Sequence, residues 1–135
     1  MLKRVWIGIL LIFTASLVGT AFGQDVPSGK WWYNNKVVEN LNLTKKEVRQ
    51  LDQLYAKSHR KLIKLKNAVE REQFELDELL GEKTVDDAKV RKQFRQLEKA
   101  RTELADERLG FVIGVREIIG AERFQQLKTS YKKWR

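Results

Sequence analysis

Hydrophobic residues recur every three or four positions over residues 44–80. One heptad position is filled by Val48, Tyr55, Leu62, Val69 and Leu76, and the other by Leu51, Ser58, Leu65, Glu72 and Leu79. Neither glycine nor proline interrupts this stretch before Gly81. A heptad pattern sustained over this length predicts an amphipathic helix of about 36 residues whose apolar stripe packs against another helix. Thr44 and Glu47 have the spacing of a capping box at its start.

A second stretch predicts a return helix that ends near Ile119, before Gly120. Its seam is expected at Val90, Phe94, Leu97, Arg101, Leu104, Arg108, Phe111, Val115 and Ile118. Gly81 suits the left-handed conformation that ends a helix, and residues 84–87 supply capping groups for the next one. Because the connection is short, we expect an all-α fold. Its core is an elongated antiparallel hairpin of two long helices, with short helices before residue 44 and over 122–132.

Charge supports this hairpin, in which facing residue numbers should sum to about 165. Acidic residues 70–78 face basic residues 89–95, and basic residues 57–66 face acidic residues 98–107. Most charge blocks are therefore interpreted as a self-complementary surface that selects the register. Gly110 and Gly114 either allow a close helix approach or are simply tolerated. Because a two-helix core is thin, homodimerisation along the seam, or a partner protein, is expected to cover the remaining apolar residues.

Residues 1–23 have the three parts of a secretory signal peptide. Lys3 and Arg4 precede an apolar run over residues 5–18, and small residues stand at 21 and 23. The alternative is an uncleaved membrane anchor, although the run is short for a span of roughly 20 residues. We expect cleavage after Gly23, a flexible leader over residues 24–30 and a helical domain over residues 31–135. Removing the peptide lowers the formal charge from +9 to +7, and export makes nucleic acid an improbable partner.

Composition leaves little room for catalysis. The chain has no Cys and a single His, which excludes thiol chemistry and a site with two imidazoles from one chain. Ser58 and His59 are sequence neighbours and point in different directions on a helix, so they do not form a nucleophile and base. The acidic pairs Glu75/Glu78 and Asp86/Asp87 fit a charged helix surface and a helix cap. We therefore expect no enzyme.

His59 is the one candidate metal ligand. It would need Tyr55, Glu103 or Glu107 across the hairpin, or its own copy in a dimer, whereas zinc prefers several nitrogen or sulfur donors. We expect no cofactor, with zinc or another divalent metal as the alternative. The basic terminus at residues 132–135 would allow at most peripheral contact with a membrane.

The segment Leu43-Thr44-Lys45-Lys46-Glu47 resembles the Leu-Thr-x-x-Gln motif of the Spy/CpxP family of periplasmic proteins, related to the ZraP and CnrX heavy-metal group. Glu47 replaces the motif glutamine. A second copy would be Ile119-Gly120-Ala121-Glu122-Arg123, in which Glu122 matches while the threonine and glutamine are lost.

The resemblance implies a periplasmic, all-α, cradle-like dimer. Spy-like members act as ATP-independent chaperones for unfolded or misfolded envelope proteins, CpxP-like members also restrain a stress sensor, and ZraP and CnrX members bind metal. The expected client surface combines apolar and basic residues: Leu54, Lys57, Lys61, Lys64, Leu65, Arg101 and Arg108. The sequence thus predicts a periplasmic chaperone or stress-response binding protein, with a metal-responsive protein as the alternative.

Overall fold

The computed structural model describes residues 29–134, and side chains up to residue 131. The expected signal peptide, most of the leader and the side chains of the basic terminus therefore lie outside the described residues. A 3-10 turn at Trp31–Tyr33 precedes four helices: α1 (Asn35–Asn40), α2 (Lys45–Gly81), α3 (Asp87–Ile119) and α4 (Ala121–Trp134). No strand occurs in this part of the chain, so the predicted all-α class is confirmed.

The long helix α2 begins at the predicted capping box. The Thr44 hydroxyl accepts a hydrogen bond from the Glu47 backbone N–H at 3.1 Å, and the Glu47 carboxylate accepts one from the Thr44 N–H at 2.9 Å. The two bonds satisfy donors that a helix start leaves unpaired. With 37 residues, α2 is about 55 Å long at 1.5 Å per residue.

Helices α2 and α3 pack as the predicted antiparallel hairpin. Every expected seam position of α2 is buried or half-buried, with Leu51, Ser58 and Leu76 the most enclosed. The register is close to the expected one, since the Gln93 side chain donates to both the Glu72 carbonyl and its carboxylate. The α2 seam is thus filled within one chain. A second copy would have to use another face.

The seam of α3 differs from the prediction at three of its nine positions, because Phe94, Arg101 and Arg108 are exposed. The other six are buried or half-buried as expected: Val90, Leu97, Leu104, Phe111, Val115 and Ile118. In place of the three exposed residues, the enclosed positions include Gln93, Ala100, Glu107 and Gly114. The small residues in this set let the helices approach closely, and the arginine guanidinium groups stay in water, where they incur no desolvation penalty.

A close approach of the two helices occurs at Gly114. A methyl group at this position would lie 2.8 Å from a Leu54 methyl carbon, whereas a methyl group at Gly110 would meet nothing within 4 Å. The backbone therefore approaches Leu54 at Gly114 only because this residue has no side chain. Of the two glycines, Gly114 serves the close contact and Gly110 is tolerated.

The helix ends agree with the prediction in part. Gly120 has a φ of 83° and ends α3, as expected. Gly81, in contrast, is the last residue of α2, and glycine with positive φ occurs in the described residues only at Gly120. The left-handed end predicted at Gly81 is wrong, because Glu82 leaves the helix in an extended conformation. The cap of α3 is Asp86, whose carboxylate accepts from the Lys89 N–H.

The densest core lies at the open end of the hairpin. There α1 and α4 cover the apolar stripe, and the buried side chains are Trp31, Trp32, Val37, Leu41, Leu51, Val115, Ile119, Phe124 and Leu127. Tyr33, next to the two buried tryptophans, is largely exposed. Among the described helices, none has a stretch long and apolar enough to cross a membrane.

Candidate binding surfaces

The tryptophan-rich opening is fastened to α2 by one carboxylate. Asp52 accepts hydrogen bonds from the Trp32 indole N–H at 2.9 Å and from the Tyr33 hydroxyl at 2.7 Å. These bonds, the tyrosine's above all, and the nearby Lys30 ammonium at 3.9 Å lower the pKa of Asp52. The same ammonium lies 5.2 Å from the centre of the Tyr55 ring. This group holds the start of the domain in place.

The Leu-Thr-x-x-Glu segment is part of a junction between three helices. Leu43 packs against the core, and Thr44 and Glu47 cap α2. The Glu47 carboxylate also accepts hydrogen bonds from both terminal nitrogens of Arg123, one of them at 2.9 Å. The Arg123 Nε donates to the Ile119 carbonyl at 2.7 Å. The guanidinium hydrogen bond is the main cause that lowers the pKa of Glu47 and, in turn, raises that of Arg123.

Glu47 and Arg123 stand at the fifth positions of the two segments that were compared with the Leu-Thr-x-x-Gln motif, 43–47 and 119–123. They form a two-pronged ion pair, and side-chain exposures of 17% and 27% show that it is mostly sheltered from water. The two segments therefore contact each other in the fold.

The predicted client-binding residues lie on two sides of the hairpin. Lys61 forms an ion pair with Glu107 at 3.6 Å, whereas Arg101 bonds to Gln73 across the opposite edge. Lys61 and Gln73 are twelve residues apart, about 120° around α2, which places the two contacts on different edges. Arg108, one heptad after Arg101, shares its edge.

The remaining predicted surface residues follow the Lys61 side. Lys57 and Lys64 are exposed there, while Leu54 and Leu65 are half-buried. The apolar part of this predicted surface thus contributes mainly to the contact with α3.

Sequence reasoning missed a longer surface on the outer side of α3. All of its side chains point away from α2 and are exposed: Lys92, Arg95, Lys99, Thr102, Asp106, Leu109, Ile113 and Arg116. We call this set the α3 outer face. It holds four cations and one acid, and Leu109 and Ile113 are 45% and 47% exposed. In the sequence these residues recur in alternating steps of three and four, a pattern that becomes visible once the true α3 seam is known.

The candidate metal ligand His59 is committed to another contact. Its ring stacks on Tyr55 with a centroid distance of 5.1 Å and an interplanar angle of 13°, while Glu107 pairs with Lys61. No group of three His, Cys, Asp or Glu side chains able to hold a metal ion occurs among residues 29–131. The donor set of this part of the chain does not fit a transition-metal site, because such sites use several nitrogen or sulfur ligands.

The residue pairs considered for catalysis are also either separated in the structure or engaged in structural contacts. Ser58 is buried in the seam and His59 is exposed. Asp86 caps α3 and Asp87 pairs with Arg91 at 2.8 Å. Asp86 and Asp87 thus have structural partners, while the buried Ser58 hydroxyl has no hydrogen-bond partner. None of these residues has the base and orienting group that nucleophilic catalysis needs.

Comparison with known proteins gives one family. A family model described as heavy-metal resistance matches residues 35–126, from α1 into α4. No curated protein matches the chain, and no solved structure does. Because the match spans more than half of the chain and includes the whole hairpin, the protein belongs to the heavy-metal resistance family.

Proposed function

We propose that the chain is an exported, ATP-independent binding protein that holds non-native proteins on the α3 outer face. The observation that carries this proposal is the exposed pair Leu109 and Ile113, with Arg116 next to it and Lys92, Arg95 and Lys99 further along the same face, which no other described residue covers. Exposed apolar side chains contribute affinity for the hydrophobic segments of unfolded chains. The cations attract acidic segments and speed encounter.

The Spy-like resemblance and the signal-peptide pattern support the same proposal and assign it to the periplasm. Arg101 and Arg108 lie on the edge next to the α3 outer face and extend its positive charge. Lys57, Lys61 and Lys64 lie towards the other edge. They would attract an acidic segment only through the electrostatic field of the whole molecule.

The test is the aggregation of a chemically denatured model protein, followed by light scattering without ATP. We expect the purified protein to suppress aggregation at an equimolar ratio. The double variant Leu109→Gln/Ile113→Gln should need about tenfold more protein for the same effect, because it removes the apolar part of the face. Val85→Gln removes a similarly exposed apolar side chain from the α2–α3 connection and should behave like the wild type.

Two results would reject this proposal. One is unchanged aggregation at equimolar wild-type protein. The other is full protection by the double variant, which would show that the α3 outer face is not the binding surface.

The family description favours a second candidate, a metal-responsive protein. Calorimetry with zinc, copper and nickel separates the two candidates, with His59→Ala as the control. On the proposed function we expect no binding tighter than about micromolar. Tighter binding that the His59→Ala variant loses would favour the metal-responsive role.

A further inference from the structure

The outer side of α2 near the hairpin tip combines one exposed aromatic ring with several acids. Phe74 is 61% exposed, more than any other large apolar side chain that the structure describes. Glu70, Asp77 and Glu78 lie three or four positions from it on the same side of the helix, and all are exposed. We call these four residues the Phe74 patch. The patch is apolar at its centre and negative around it.

Little positive charge within the chain balances these acids. Among the described residues, Glu70 and Glu78 have neither an ion pair nor a side-chain hydrogen bond. Asp77 accepts a hydrogen bond at 3.0 Å, but from a neutral amide. The neighbouring cation Arg71 is paired with Glu72 at 3.7 Å. The three carboxylates of the Phe74 patch therefore keep their negative charge available for a partner.

The position of these acids in α2 also opposes the helix dipole. The C-terminal end of a helix carries a partial negative charge, so cations stabilise it and carboxylates destabilise it. The last turn of α2 contains Glu78 and holds no basic residue. The carboxylates and the helix end thus add to one negative field. A cationic partner would relieve this repulsion, which no contact within the described part of the chain does.

From this arrangement we infer that the Phe74 patch binds a cationic amphipathic helical segment of another protein. An apolar side chain of the partner packs on the Phe74 ring, and lysine or arginine side chains next to it on the partner helix reach Glu70, Asp77 and Glu78. A basic amphipathic helix carries apolar and charged groups at the same three- and four-residue spacing as the patch. The apolar contact supplies affinity, and the carboxylates select a basic partner over an acidic one.

The Phe74 patch and the α3 outer face would bind different partners. The clients expected on the α3 outer face are acidic and apolar, and the carboxylates around Phe74 would repel them. A bare metal ion also fits the patch poorly, because no three acidic side chains among residues 29–131 converge to hold one. The inference thus adds a second, oppositely charged binding surface and does not depend on the proposed function.

The experiment measures the fluorescence anisotropy of a labelled synthetic peptide, composed of leucine and lysine in amphipathic order, as purified protein is added. We expect saturable binding that weakens as the salt concentration rises. Phe74→Gln should weaken the binding by at least about tenfold. The matched control Phe94→Gln removes a ring that is 49% exposed on α3 and should bind the peptide like the wild type. A peptide with glutamate in place of lysine should not compete.

A second variant tests the charges without disturbing the fold. Glu70→Gln/Glu78→Gln should weaken peptide binding by at least about fivefold, because two of the three carboxylates are lost. It should not lower the thermal unfolding temperature, since neither side chain has a partner in the described structure and Glu78 opposes the helix dipole. Loss of binding in a protein that is as stable as the wild type would assign these acids to the partner.

Several results would overturn the inference. They are no saturable binding to the wild type, equal weakening by Phe94→Gln, equal affinity for the glutamate peptide, and a Phe74→Gln variant that changes sedimentation of the protein but not its peptide binding. A failed aggregation assay with intact peptide binding would reject only the proposed function, and the converse result would reject only the role of the Phe74 patch.

Discussion

At the residue scale, the ion pair of Glu47 and Arg123 is the contact that most directly joins sequence motif and fold. It ties the start of α2 to α4, close to the dense core at the open end. The Glu47 carboxylate caps α2 and also pairs with the Arg123 guanidinium. Because both charged groups are mostly removed from water, leaving either one unpaired would destabilise the fold.

We expect Arg123→Gln and Glu47→Gln each to lower the free energy of unfolding by about 1–3 kcal/mol. The double variant should lose less free energy of unfolding than the sum of the two single variants. Its two neutral amides can hydrogen-bond to each other, whereas each single variant leaves a charged group facing an amide. Urea denaturation followed by circular dichroism measures this coupling. Strict additivity would show that the two side chains act independently.

Acid should weaken the same end of the molecule. The folded-state pKa values of Glu47 and Asp52 are both lowered, by hydrogen bonds from Arg123 and from Tyr33 and Trp32, respectively. A lowered carboxyl pKa contributes stability that is present above the ordinary value of about 4 and is lost as the pH falls through the folded-state value. Neutral pH should therefore be the stable side.

Thermal unfolding at a series of pH values tests this expectation. The wild type should lose stability steeply below about pH 4.5, and the variant Glu47→Gln/Asp52→Asn should show a shallower decline. Equal slopes for the two proteins would mean that other carboxyl groups control acid unfolding.

At the scale of the elements, the helices and their order follow from the sequence, and the choice of seam on α3 does not. The capping box, the end at Gly120 and the hairpin register depend on local chemistry and chain length, which the sequence contains. The alternation of apolar residues on α3 fits two stripes that differ by one residue. Only contact with α2 selects the one with Ala100 and Gly114, because Leu54 needs that space.

The candidate surfaces were harder to predict for the same reason. The sequence pattern places Arg101 and Arg108 in the seam, whereas both are exposed. The positions of the α3 outer face become evident only with the correct seam. Likewise, Leu54 looks like surface next to Lys57 but is half-buried by the close approach at Gly114. Exposure depends on neighbours that are far apart in sequence.

The two glycines of α3 give a matched test of this packing. Gly110→Ala should raise the free energy of unfolding by about 0.5–1 kcal/mol, because alanine favours a helix and no atom is in the way. Gly114→Ala gains the same propensity but forces Leu54 to move, so we expect it to be at least about 1 kcal/mol less stable than Gly110→Ala. Equal effects in urea denaturation would contradict the close approach.

At the scale of the whole molecule, the hairpin is an elongated body with different surfaces on its two outer sides. Residues 70–87, at the tip, hold eight acids and two bases, while the chain as a whole is at +9. The outer side of α2 carries both signs of charge. The α3 outer face is mainly positive and partly apolar, the combination on which the proposed binding of non-native chains rests. The net positive charge is thus concentrated away from the acidic tip.

Site-specific photocrosslinking tests this division of surfaces most directly. A photoreactive residue placed at 109 or 113 should, in the presence of a denatured model protein, form adducts with that protein. The same residue at 63 or 74, exposed positions on the outer side of α2, should form few adducts with that protein. Client adducts at 63 and 74 with none at 109 and 113 would contradict the assignment of the α3 outer face as the surface that holds non-native proteins.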